Sequence, residues 1–224
     1  MPDQIAFIHT SPSMIPVFKP LAGELLPGAE VFNLVDESLL RDIIRDKGLS
    51  PGTAKRLAGH VLAAEQAGAR YILVTCSSMG RAVEASRTLS SATVLRVDEP
   101  MTEKAVNTGS RIGVIATLPS TLEPTVALIR ARAAAMNKDV DVNAIVVDGA
   151  FDAVISGDGA NHDALVAAAL RKLAKEVDVI VLAQASMARV VDAFSPQDKP
   201  AVPILSSPRL AVEHLAQLLR TRPA

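Results

Sequence analysis

Cysteine is almost absent from this chain: among 224 residues only Cys76 carries a thiol. A single cysteine excludes an internal disulfide and the CxxC pairs of zinc and redox sites, and it suits a reducing, cytoplasmic setting. Tryptophan is missing altogether, and one Tyr and five Phe leave the core to Val, Leu, Ile and Ala. Neither sign of charge dominates, since 23 Lys and Arg stand against 24 Asp and Glu. With no basic cluster either, nucleic acid is not an expected partner. The opening MPDQIAFIHT has no basic segment ahead of a long apolar stretch, so neither a signal peptide nor a membrane span is expected. No two of the four histidines have the spacing of a metal site.

What is present is a regular alternation. Short β-branched runs at 5–10, 31–36, 71–76, 93–98, 111–117, 142–147, 177–183 and 202–206 read as strands. Their continuous apolar character suits parallel strands covered by helices on both faces. Between them, PGTAKRLAGHVLAAEQAGA and DALVAAALRKLAKEV space apolar residues three to four apart, as amphipathic helices do. Pro51 and Pro208 fall where a first helical turn accepts proline.

The chain is also a repeat. IAFIHTSPS (5–13) matches IGVIATLPS (112–120), and ILVTCSSMGRAV (72–83) matches IVLAQASMARVV (180–191). VFNLVDESLL resembles NAIVVDGAFD, which sets Asp36 against Asp148, and Pro100 matches Pro208. Four matches in order at nearly constant offset imply two similar four-stranded α/β units. The expected lobes are residues 1–98 with 208–224, and residues 99–207. In open parallel sheets ligands bind beyond the carboxyl ends of the strands. Thr10, Cys76, Thr117 and Gln184 fall at such ends. If the units face one another, these positions converge on one cleft.

Cys76 ends a strand and precedes Ser77, Ser78 and Met79, which read as a helix start. Free N–H groups there favour a thiolate, and a cysteine titrating near about 8.5 makes a usable proton carrier. The plain alternative is a buried core residue. Hydroxyls at Thr10, Ser11, Ser77, Ser78, Thr117, Ser120, Thr121 and Ser186 suit a small carboxylate held at helix N-termini, or else they cap helices. His9 is expected on the strand face opposite Thr10, in a structural role, although a twist at the strand end would bring it to the site. His60, His162 and His214 read as solvated or interhelical. GDGANH (157–162) reads as a loop leading into a helix, Met79 and Met187 as packing, and Asp98 and Glu99 as rim residues.

VTCSSMG after the third strand, RIGVIATLPSTLEPT opening the second half, and VIVLAQASM near the end together resemble the aspartate/glutamate/hydantoin racemase superfamily, which also includes arylmalonate decarboxylase. The resemblance covers essentially the whole chain. It implies an α/β fold of two pseudo-symmetric flavodoxin-like lobes, each with a four-stranded parallel sheet flanked by helices, and an active site between them. It further implies a cofactor-independent enzyme without pyridoxal phosphate. In that family one cysteine from each lobe moves the proton on the carbon next to a carboxylate, and neighbouring hydroxyls and N–H groups hold the carboxylate. Cys76 matches the first cysteine, whereas Gln184 stands where the second would be. A glutamine only donates or accepts hydrogen bonds. The expected activity is therefore proton movement on a small acid or amino acid by one thiol. The alternatives are a one-cysteine decarboxylase or lyase, or a carboxylate-binding protein without turnover. If the second proton carrier is not a thiol, water or His9 would take that part. The expected partner is a small carboxylate substrate, with no nucleic acid, no membrane and a possible homodimer.

Overall fold

The computed structural model describes residues 2–221. Eight strands form: β1 (Gln4–His9), β2 (Glu30–Val35), β3 (Tyr71–Val74), β4 (Thr93–Arg96), β5 (Arg111–Ala116), β6 (Asp141–Val146), β7 (Val179–Leu182) and β8 (Ile204–Ser206). They build two parallel sheets, ordered β2-β1-β3-β4 and β6-β5-β7-β8. Each is the flavodoxin order without a fifth strand. The helices are α1 (Ile15–Leu25), α2 (Glu37–Arg45), α3 (Pro51–Gln66), α4 (Gly80–Ser86), α5 (Glu99–Thr108), α6 (Pro119–Ala135), α7 (Ala150–Ile155), α8 (Gly159–Leu173), α9 (Ala188–Asp192) and α10 (Ser207–Arg220). All eight apolar runs of the sequence thus form strands, most of them shorter than the run. The chain divides into two compact units, Met1–Glu99 with Pro208–Ala224, and Pro100–Ser207.

Strand alternation explains how the first unit is covered. Ala6, Ile8, Ile72 and Val74 pack on one face with Leu57, Val61 and Val83. Ile5, Phe7, Tyr71 and Leu73 pack on the other with Phe18, Val212 and Leu215. Helix α10 therefore returns the end of the described chain to the first sheet. Both faces of β1 and β3 are buried, as a continuous apolar run requires. In the second unit Ile115, Ile180 and Leu182 meet Val166, Leu170 and Leu173. Gly113 on β5 lets Leu173 close in: a Cβ there would lie 2.8 Å from Leu173 Cδ2.

Local signals set the helix starts. Pro51 opens α3 behind Ser50, whose hydroxyl accepts the N–H of Thr53. Asp158 caps α8 through the N–H of Asn161, so GDGANH is a capped helix entrance. Among the described residues no helix is long and apolar enough to cross a membrane.

One pairing of the repeat is corrected. Asp36 N–H binds His9 O, and the corresponding bond in the second unit comes from Val147 N to Ala116 O. Asp36 therefore answers to Val147, not Asp148. A single residue separates β2 from α2, whereas residues 147–149 separate β6 from α7, with Gly149 at φ +74 turning the chain. The strand registers set Val31 against Val142, whereas matching the two aspartates sets Val31 against Asn143 and so slips the whole strand by one residue.

Candidate active site

At the carboxyl end of the first sheet, β1 hands over to Thr10 and β3 to Thr75 and Cys76. Ser77–Met79 form one 3-10 turn, which runs straight into α4. The turn curls the backbone back over the cysteine. Four donors act on the Cys76 thiol and favour its ionised form: the Thr10 and Ser78 hydroxyls and the N–H groups of Ser78 and Met79. The Met79 N–H also bonds the Cys76 carbonyl at 3.1 Å, closing the turn. Thr10, Ser77 and Ser78 are buried at 5%, 7% and 6% exposure, while Cys76 keeps an intermediate exposure. The expected thiolate is corrected in one respect. Burial pushes the Cys76 thiol up, and the four hydrogen bonds offset this only in part. At neutral pH the group is a thiol, surrounded by donors that hold the thiolate it leaves on giving up its proton.

His9, the last residue of β1, is fully buried. Its Nδ1 lies 2.8 Å from Thr75 Oγ1 and its Nε2 2.8 Å from Asn33 Oδ1. Its ring also packs near those of Phe7 and Phe18. Burial lowers its pKa, and the Asn33 contact opposes this. With both ring nitrogens engaged, His9 holds the strand ends together. Asp36 sits beyond β2, where its carboxylate caps α2 through Ser38 N–H and meets Arg56 and His60, each at 2.8 Å. Burial opposes its ionisation, but the bonds from Ser38, His60 and Arg56 prevail and hold it below the usual carboxylate range.

In the second unit the same turn recurs as Ala185–Met187, with Gln184 before it. Gln184 Oε1 accepts both the Thr117 N–H at 2.6 Å and the Thr117 hydroxyl at 2.9 Å. A backbone N–H can only donate, so the oxygen must face Thr117 and the amide NH2 is turned away from it. Thr121, on the first turn of α6, is buried at 5%; Ser120 is half-buried and Ser186 exposed. Neither Thr117 nor Ser120 caps α6, which has no side-chain cap. Ser11 does take a capping role, accepting the N–H of Ser13. Thr10, Ser77, Ser78 and Cys76 thus gather at one sheet end, and Thr117 and Gln184 at the other.

Two buried residues escaped the sequence reading. Arg96 is 5% exposed and Asp98, read as a rim residue, is fully buried. The clue was LRVD, a charged pair inside an otherwise apolar strand. His162 proves buried, with Asp163 Oδ1 2.6 Å from its Nδ1. Among the described residues no three His, Cys, Asp or Glu side chains form a group that could hold a metal ion.

Comparison with known proteins agrees with this architecture. Residues 6–215 match the family model described as Asp/Glu/Hydantoin racemase. No curated protein matches the sequence. Among solved structures, a putative Asp/Glu racemase from Yersinia pestis superposes with TM-score 0.72 at 15% identity, covering 98% of this chain and 100% of that one. An allantoin racemase from Klebsiella pneumoniae gives 0.68 at 19%, covering 97% and 88%. A glutamate racemase of Bacillus anthracis gives 0.71 at 18%, covering 97% and 82%. These identities establish a shared fold, and the family model matches nearly the whole length. The chain belongs to the Asp/Glu/hydantoin racemase family.

Proposed function

We propose that this protein is a cofactor-independent, cytoplasmic isomerase that moves a proton on the carbon next to a carboxylate of a small acid or amino acid, with Cys76 as its one thiol. The observation that carries the reading is the ring of four donors around the Cys76 sulfur. Because the resting group is a thiol, its proton first passes to solvent. The thiolate so formed takes the α-proton, and the electron pair of the C–H bond passes into the neighbouring carboxylate as an enolate. Returning the proton to carbon restores the thiolate. Between the two steps the four donors exchange a neutral sulfur for a charged one without moving, which is preorganised stabilisation. Ser77 holds carboxylate in the first lobe, while the single hydroxyl protons of Thr10 and Ser78 stay on the sulfur beside it. In the second lobe Ser120, Thr121 and Ser186 supply donors, and Thr117, whose N–H and hydroxyl both go to Gln184, positions that side chain. Ser11, bound to its own turn, is the weakest of these candidates.

Gln184 makes the chemistry one-sided. A carboxamide neither takes nor gives a proton near neutral pH, and its oxygen is occupied by Thr117. The bonds of His9 to Thr75 and Asn33 leave water as the second proton carrier. Such an enzyme exchanges the α-proton faster than it inverts the centre. The same single thiol also favours a second reading, a decarboxylase that protonates the enolate left by CO₂.

The test is incubation in deuterated water with a panel of amino acids, hydantoins and substituted malonates. We expect α-deuteration to outrun the loss of optical rotation, Cys76→Ala to abolish both, and Gln184→Cys to bring the two rates together. CO₂ release from a malonate would favour the decarboxylase instead. If the wild type and Cys76→Ala behave alike on every substrate, the thiol is not the proton carrier. A protein that binds these acids without exchanging them is a carboxylate-binding protein.

A further inference from the structure

The duplication supplies an internal control. After both strand ends the chain makes the same 3-10 turn, Ser77–Met79 in one lobe and Ala185–Met187 in the other. The next residue is Gly80 in the first and Ala188 in the second. Both are helical, at φ −50, ψ −48 and φ −57, ψ −38. A helical position does not call for glycine, and alanine is favoured there by about 1 kcal/mol. Another cause must therefore keep Gly80 free of a side chain.

That cause is Arg96. A methyl built on Gly80 would stand 2.7 Å from Arg96 Nη1 and nearer still to Cζ. The guanidinium occupies the space a Gly80 side chain would need and has little freedom to move aside. Its Nε and Nη2 bind Asp98 at 3.0 and 2.9 Å, and its Nη1 binds Glu84 on α4. Arg96 pairs with Val74 on β3, and the matching pair in the second lobe is Ser206 with Leu182. The lobe with the cysteine has both the glycine and the arginine, and the lobe with the glutamine has neither.

We propose that Arg96, fixed by Asp98 and admitted by Gly80, is a positioning residue that clamps the turn whose N–H groups face the Cys76 sulfur. It ties the end of β4 to the first residue of α4, directly after Met79. The turn thus keeps its donors on the sulfur when the thiol ionises. A planar, multiply bonded guanidinium suits this in a way a lysine ammonium does not. The proposal rests on reading Cys76 as the proton carrier, but its test needs no turnover.

The experiment is the rate of iodoacetamide alkylation of Cys76 against pH in the full-length protein, with the melting temperature of each variant measured alongside. We expect Gly80→Ala to move the profile upward and slow alkylation at pH 8 about three- to tenfold, the scale of weakening one hydrogen bond to a charged group. Glu84→Ala removes one leg of the clamp at a side chain 47% exposed, so the fold persists, and a two- to threefold slowing (roughly half the larger effect) is expected. Glu84→Gln, which keeps an oxygen that accepts from Arg96, should slow it less. Ala188→Gly, the matched change in the other lobe, should leave the profile where it is. A lower melting temperature with an unmoved or lowered profile in Gly80→Ala would make the pair purely structural and overturn the proposal. If Gly80→Ala does not fold, Glu84→Ala decides alone. Equal shifts from Gly80→Ala and Ala188→Gly would also overturn it. Turnover by any of these proteins bears on the proposed function and not on the clamp.

Discussion

Replacing Thr10 with valine removes one hydroxyl from the sulfur of Cys76 and almost nothing else. The side chains are nearly the same size, and the site is only 5% exposed, so water is poorly placed to substitute for the lost donor. Of the four hydrogen bonds that reach the sulfur, the Thr10 hydroxyl contributes most after burial itself. A hydrogen bond to a charged group is worth about 1.5–3 kcal/mol, and one pKa unit corresponds to about 1.4 kcal/mol. Thr10→Val should therefore raise the thiol further beyond its already elevated position. Alkylation by iodoacetamide, followed from pH 6 to 10, should slow roughly ten- to hundredfold at any pH below both midpoints. The melting temperature should change little, because valine leaves no buried polar group without a partner. An unshifted alkylation profile in a folded Thr10→Val protein would refute the hydrogen bond, and with it the view of the first sheet end as a thiolate holder.

His9 should make the protein sensitive to acid. Its folded pKa is lowered, so the stability linked to its neutral form is present above the unfolded value near about 6.5. That stability is lost as the pH falls below this value toward the folded pKa, at up to about 1.4 kcal/mol per pH unit. Urea melts at pH 7 and 5.5 should show a steeper acid loss for the wild type than for His9→Gln; parallel losses would contradict this. Gly113→Ala drives a methyl into Leu173 and Val177 and should cost about 1–3 kcal/mol. In a chain of this size that corresponds to a melting temperature lower by about 2–12 °C, and an unchanged value would mean the interior yields there.

The strands were legible because both faces of each central strand are buried, which leaves an unbroken β-branched run such as YILV or VIVL. The duplication was legible because equivalent positions carry equivalent burdens: a hydroxyl at Thr10 and Thr117, a packed methionine at Met79 and Met187. The half-buried edge strands β2 and β6 carry less of that constraint, and there two aspartates of like type align one residue away from the structural register. The thiol was located but its ionisation was misjudged. The sequence shows helix N–H groups near Cys76, while the penalty of burial depends on atoms brought in from β1 and the turn. The strand face of His9 follows from alternation alone, but its partners come from elsewhere, Asn33 from β2 and Thr75 from just beyond β3.

From its sequence alone this protein determines two four-stranded α/β units, a single thiol at a strand end, and a glutamine at the matching end. Apolar periodicity and internal repetition are local or near-local, and they survive in one dimension. Only the tertiary structure decided which way the Gln184 amide faces, that His9 is locked between Asn33 and Thr75, and that Arg96 and Asp98 are buried beside Gly80. Each of these rests on atoms distant along the chain meeting where water is excluded. There a hydrogen bond gains its directional strength, and a charge must find a partner.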